Sequence, residues 1–302
     1  MKPTLFFFRL PASLLALGLL AFTTGCPTLD RGGAQTFSTG VTAARAQTKT
    51  TFDAVVGLTR TSSIEYAVKQ DKLTEEELVA VPNSEAVAAW NEALDPVESY
   101  AQHLASLVTA DSAKGVEDSV GKLAAQFNTT SADLKSKTNL GDAGQIAAGP
   151  ASVFAEVASA LLRMHAQKEA VAVAAQTDPE IRKVFTVLAD AIGADQTGPG
   201  LRATVRANWA QRLAEQQVKF LKAGTPDARR PVVNDYIDLL NKRDAQDELL
   251  AALRRTYLTL ADAHTALAKG QATDLGSAID FVKAESKHAR DLQDQFTKSL
   301  TK

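Results

Sequence analysis

The chain has little of what catalytic and metal-binding proteins are built from. One cysteine in 302 residues leaves no intramolecular disulfide, no thiolate metal cluster and no resolving thiol for redox exchange. Its four histidines, His103, His165, His264 and His288, fall in no strong ligand spacing. There is no glycine-rich phosphate loop behind a strand pattern and no Gly-x-Ser-x-Gly elbow. Alternating polar and β-branched runs are missing, which excludes strands as a main element. Aromatic residues make up only 6% of the sequence.

What is present is alanine, leucine, glutamine, lysine, glutamate and aspartate, residue types that mostly lose little side-chain freedom in helices or favour their ends. Against 33 basic residues stand 35 acidic ones, a net charge of −2. No concentrated basic face emerges, so nucleic acid is not an expected partner. Nor is a polybasic membrane patch expected.

Periodicity sets the architecture. Phe37, Val41, Ala44, Thr48, Phe52, Val55 and Leu58 recur every three or four residues and predict a long helix to about Gln70. Thr74 with Glu77 forms a capping box for a short helical turn, and Ser84 is expected to cap the helix carrying Val87, Trp90 and Leu94. Asp95-Pro96 and Asp178-Pro179 read as fresh helix starts, with aspartate as cap and proline at the first helical position, and a kink or a short break is expected at the first. Val116 to Leu134 and Phe154 to Val171 give two further helices. The glycine-rich stretch 139–150 between them is the expected boundary between halves. Leu201 to Phe220, then Val233, Ile237 and Leu240 running into Leu250 to Leu267, and Leu275 to Phe296 complete the set. The expectation is an all-α, elongated up-and-down bundle of seven to eight helices, either continuous or as two stacked bundles. Its organisation reads as a leader over 1–25, a tether over 26–35, a first helical half over 36–138 and a second over 151–302.

The first 26 residues carry the clearest motif. Lys2 and Arg9 precede the apolar run Leu10 to Phe22, followed by Thr23-Thr24-Gly25-Cys26. A basic start, an apolar core of about a dozen residues and a small-residue exit describe a secretory signal, since a membrane span needs roughly 20 residues. Gly25-Cys26 behind it resembles the lipobox of bacterial lipoproteins. The resemblance implies that Cys26 is acylated and becomes the first mature residue, tying the protein to a membrane by its lipid. Pro27 follows Cys26, where an aspartate commonly retains such lipoproteins of Gram-negative bacteria in the inner membrane. The resemblance therefore implies the outer membrane, facing the periplasm.

Beyond Cys26 the candidate chemistry is sparse. Glu285 and His288 have the Glu-x-x-His step of di-iron bundles, but no second copy exists and the stripe Val282, Ser286, Ala289 turns His288 outward. His165 and Glu169 sit four apart, with Lys168 beside them against a cation. His103 reads as a helix-flank residue. Glu75, Glu76 and Glu77 are helix-start acids, and Asn128-Thr129-Thr130 matches a glycosylation acceptor that carries no meaning in a bacterial envelope. Arg229-Arg230 and Arg254-Arg255 are basic pairs that could meet an anionic partner, yet isolated pairs of this kind are normally solvated helix surface. His264 alone falls on an apolar seam, Leu250, Leu253, Tyr257, Leu260, Leu267, and is the one weak ligand candidate. If it is merely packed there, leucine in its place should be tolerated. No cofactor is expected. The sequence thus reads as a non-enzymatic envelope scaffold binding another protein or the cell wall, the alternative being a bundle that binds a small ligand or metal.

Overall fold

The computed structural model describes residues 31–70, 74, 81–107, 113–137, 141–163 and 170–300. Among these, eight helices and no strand are found: α1 (Arg31–Gln70), α2 (Ser84–Leu107), α3 (Ala113–Ser136), α4 (Gly141–Arg163), α5 (Ala170–Ile192), α6 (Leu201–Lys222), α7 (Pro226–Ala268) and α8 (Ala272–Leu300). The all-α bundle read from the periodicity is the fold. Its axis is α7, whose 43 residues extend about 65 Å at 1.5 Å per residue. Around α7 pack α1, α5, α6 and α8; α8 also lies along α1, while α2, α3 and α4 form a layer joined to α1 and α5.

The stripes of the sequence are the core. Phe37, Phe52, Trp90, Tyr100, Phe127, Phe154, Phe185, Trp209 and Tyr257 are wholly or almost wholly buried. A single apolar cluster runs from Ala34 in α1 to Ala289 in α8, so residues before 138 and after 151 share one interior.

Four local expectations are corrected. The tether read over 26–35 does not extend that far, because α1 begins at Arg31 and Ala34 is already fully buried. The break expected at Asp95-Pro96 is absent: α2 runs through Pro96, and its first turn is capped by Asn83, whose Oδ1 accepts the Ala86 N–H at 2.8 Å, not by Ser84. The restart at Asp178-Pro179 is likewise the interior of α5, and Val171 belongs to that helix rather than to the one before it. The boundary over 139–150 is, from Gly141 on, the first turns of α4. In each case burial of one face outweighs the local cost of a glycine or proline. The Thr74–Glu77 capping box falls largely outside the described residues, as do the His165–Glu169 pair and Cys26.

Gly149 shows why a glycine sits inside a buried helix. A methyl group there would collide with Val187 Cγ1 of α5. Valine is stiff in a helix and cannot easily swing aside. Elsewhere in a helix Gly→Ala stabilises by roughly 1 kcal/mol. Gly149→Ala is instead expected to destabilise by about 1–2 kcal/mol, as overpacking does. A urea midpoint higher than that of the wild type would contradict this close approach of α4 to α5.

Candidate functional site

His264 is fully buried on α7, and the fold brings partners to both of its nitrogens. Nδ1 lies 2.8 Å from Asp178 Oδ1 on α5, and Nε2 lies 2.8 Å from the Tyr100 hydroxyl on α2. Burial pushes the imidazole below its usual range, more than the nearby Asp178 raises it, so the ring is neutral. The carboxylate can only accept, which places the single ring proton on Nδ1 and leaves Nε2 to accept from Tyr100 O–H. Burial pushes the Asp178 carboxyl up, but the bonds from His264 and Thr265 win and hold it below the ordinary carboxylate range. The Tyr100 hydroxyl, raised by its own burial, also lies 2.6 Å from Thr177 Oγ1. Phe37 closes the site edge-on, its ring centre 5.3 Å from that of His264.

This chain of hydrogen bonds ties α2, α5 and α7 together. A metal could use Nε2 only by displacing Tyr100, and among the described residues no three His, Cys, Asp or Glu side chains are placed to hold an ion. Two of the three members escaped the sequence reading, which took Asp178 for a helix cap and did not single out Tyr100.

Further along α7, polar side chains face α1. Tyr257 accepts from Trp90 Nε1 at 2.7 Å and lies 2.7 Å from Thr48 Oγ1. Thr256 donates to Gln47 Oε1 at 2.8 Å. Gln246 accepts from Trp209 Nε1 at 2.5 Å and donates to the Val55 carbonyl at 2.8 Å and to Thr59 Oγ1 at 3.0 Å. Lys242 reaches Glu65 at 3.2 Å.

The other sequence candidates are dispersed. His103 is buried rather than flanking, and burial lowers its affinity for a proton. Glu285 accepts from Arg255 Nη2 at 2.9 Å, and His288 lies 3.7 Å from Glu248, so the Glu-x-x-His pair does not converge. Arg255 bridges Glu248 and Glu285, whereas Arg229 stacks over the Phe220 ring at 5.2 Å.

The largest departure from the expected pattern is at the α6–α7 turn. Phe220, Val233 and Ile237, read as buried stripe residues, are 37%, 40% and 49% exposed. Val218 and Leu221 are exposed beside them, and a half-open trough of about 440 Å³ lies between the two helices. Comparison with protein-family models, with curated proteins and with solved structures finds no match for the chain.

Proposed function

We propose that the protein is a lipid-anchored envelope lipoprotein whose helical bundle acts as a non-enzymatic scaffold, presenting an interaction surface away from its anchor. The observation that carries the reading is the separation of the two ends. The start of α1 lies at the His264 end of α7, where Phe37 meets that ring. The α6–α7 turn lies 38 residues of helix away, about 57 Å at 1.5 Å per residue. A chain tethered through Cys26 thus holds the exposed apolar turn far from the bilayer that carries the lipid. Along the α1–α7 seam Tyr257 bonds with Thr48, Thr256 with Gln47 and Gln246 with Thr59, as befits a stiff spacer, and the acidic net charge disfavours nucleic acid as partner. No described helix is long and apolar enough to cross a membrane, which fits a lipid as the means of attachment.

The test is chemical. Mass spectrometry of protein extracted from its own membranes should find an acylated N-terminal Cys26, and Cys26→Ser should abolish the modification. An unmodified Cys26, or a mature chain starting elsewhere, would sink the reading. Affinity purification of the lipidated protein from the envelope should then recover a protein or cell-wall partner.

A further inference from the structure

The α6–α7 hairpin carries two features that belong together. The first is the trough, lined by Gln217, Phe220, Leu221, Val232, Val233 and Tyr236, at about 440 Å³ within the range of roughly 300–1,000 Å³ that holds small molecules. Leu221, at 78% exposed, is the most solvent-exposed of its large apolar side chains.

The second is charge. Between Gln217 and Ile237 stand four basic residues, Lys219, Lys222, Arg229 and Arg230, against two acidic ones, whereas the chain as a whole is net negative. Helical spacing puts cations at the tip end of the apolar faces. Lys222 is four residues after the exposed Val218, which stands beside the trough on α6, and Arg230 is three residues before Val233, which lines it on α7. Arg229 is fixed at the edge of the trough by its Nε bond to the Ala223 carbonyl at 2.9 Å and by its stack on Phe220. Asp235 and Asp238 line instead a small cavity on the α1 side with Glu65, Arg212 and Lys219, which leaves Lys222, Arg229 and Arg230 against Asp227 at the tip.

We infer that the trough binds an anionic amphiphile, its acyl chain along Phe220, Leu221, Val232 and Val233 and its head among Lys222, Arg229 and Arg230. Three occupants compete, and geometry separates them. A bilayer entered tip-first would have to receive Lys222, Asp227, Arg229 and Arg230 before any large apolar side chain, and ions in hydrocarbon are costly. A second hairpin stacked tip to tip would set like charges together. One amphiphile needs neither, because its apolar part lies in the concavity while its head stays at the wet, basic end. The site is independent of Cys26 acylation.

The chain from Pro27 on, which contains every described residue, is titrated calorimetrically with dodecyl phosphate below its micelle concentration. One equivalent should bind saturably. Dodecyltrimethylammonium, with the same chain and the opposite charge, should bind at least fivefold more weakly, since each cation near an anionic group contributes on the order of 1 kcal/mol. Leu221→Asp should weaken dodecyl phosphate by about tenfold or more, the scale of losing an apolar contact in a pocket. Arg230→Glu should weaken it too, and less so at high salt. Phe281→Asp, exposed on α8 outside the trough, should leave binding unchanged.

Equal binding of the two detergents, no saturable binding, or indifference to Leu221→Asp would overturn the site. So would sedimentation with phosphatidylglycerol vesicles that depends on Leu221 without any titration by dodecyl phosphate, because the face would then dock on a bilayer. A Leu221-dependent dimer that binds no amphiphile would assign the face to a second copy. None of these outcomes touches the mass of Cys26, so the scaffold reading fails or stands separately.

Discussion

His264→Leu is expected to lower the unfolding free energy by about 2–4 kcal/mol, against the tolerance that its apolar seam alone suggests. The estimate sums one hydrogen bond between neutral groups and one to a carboxylate, roughly 1 and 1.5–3 kcal/mol. Asp178 keeps the Thr265 hydroxyl at 3.0 Å and Tyr100 keeps Thr177, which limits the loss. Urea unfolding followed by circular dichroism at pH 7.5 checks it, and a midpoint equal to wild type would show that the buried bonds contribute nothing net.

The same residue gives stability a pH dependence with a definite sign. The folded imidazole is held below its unfolded value near 6.5, so the unfolded chain takes up the proton first as pH falls. Stability should be flat above about pH 7 and decline as pH drops below 6.5, by at most about 1.4 kcal/mol per pH unit for this one group. Asp178 acts at lower pH in the same direction: its carboxyl is held down in the fold, so its contribution is present above the ordinary carboxylate value and lost on acidification below it. In His264→Leu the decline between pH 7 and 5 should be shallower, with buried His103 supplying part of what is left. An unchanged slope would mean that His264 takes up its proton alike in both states.

Gln246→Leu is expected to cost about 2–4 kcal/mol for a different reason. The substitution leaves the Trp209 indole N–H buried with no acceptor and removes the two bonds to α1. Trp209→Phe removes the orphaned donor, so the double variant should be more stable than the sum of the single losses predicts, with a coupling of about 1–2 kcal/mol. Additive losses would show that the indole and the amide do not depend on one another.

Helix positions and core were legible because a buried helix face repeats every three to four residues and the chain keeps that repeat nearly throughout. Phe37, Val41, Phe52 and Val55 announced α1, and Leu250, Leu253, Tyr257 and Leu260 announced α7. What misled were the prolines and glycines. Asp178-Pro179 carries the same local signal whether the aspartate caps a new helix or points from the middle of an old one at His264, and only α7 lying alongside decides between them. Gly149 looked like a loop residue because its reason, Val187 at close range, is 38 positions away. The trough was hidden in the opposite way. Phe220, Val233 and Ile237 have the spacing of a buried face, and spacing does not reveal that the bundle brings no described helix to cover it.

The seam between α1 and α7 bears on the order in which the molecule can form. Thr48 meets Tyr257 and Gln47 meets Thr256 across 209 positions, and Gln246 reaches back to Val55 and Thr59 across 191 and 187. A chain emerging from its N-terminus makes α1 first and waits for nearly all of the remaining length before those hydroxyls and amides find each other. Contacts so distant in sequence are slow to close, and apolar surface exposed meanwhile invites association. The layer α2 to α4 can assemble from near neighbours during that interval, but α1 cannot settle until α7 and α8 arrive. Truncation after Lys222 should therefore leave a helical but loosely packed species that needs a holding chaperone, rather than a smaller stable bundle.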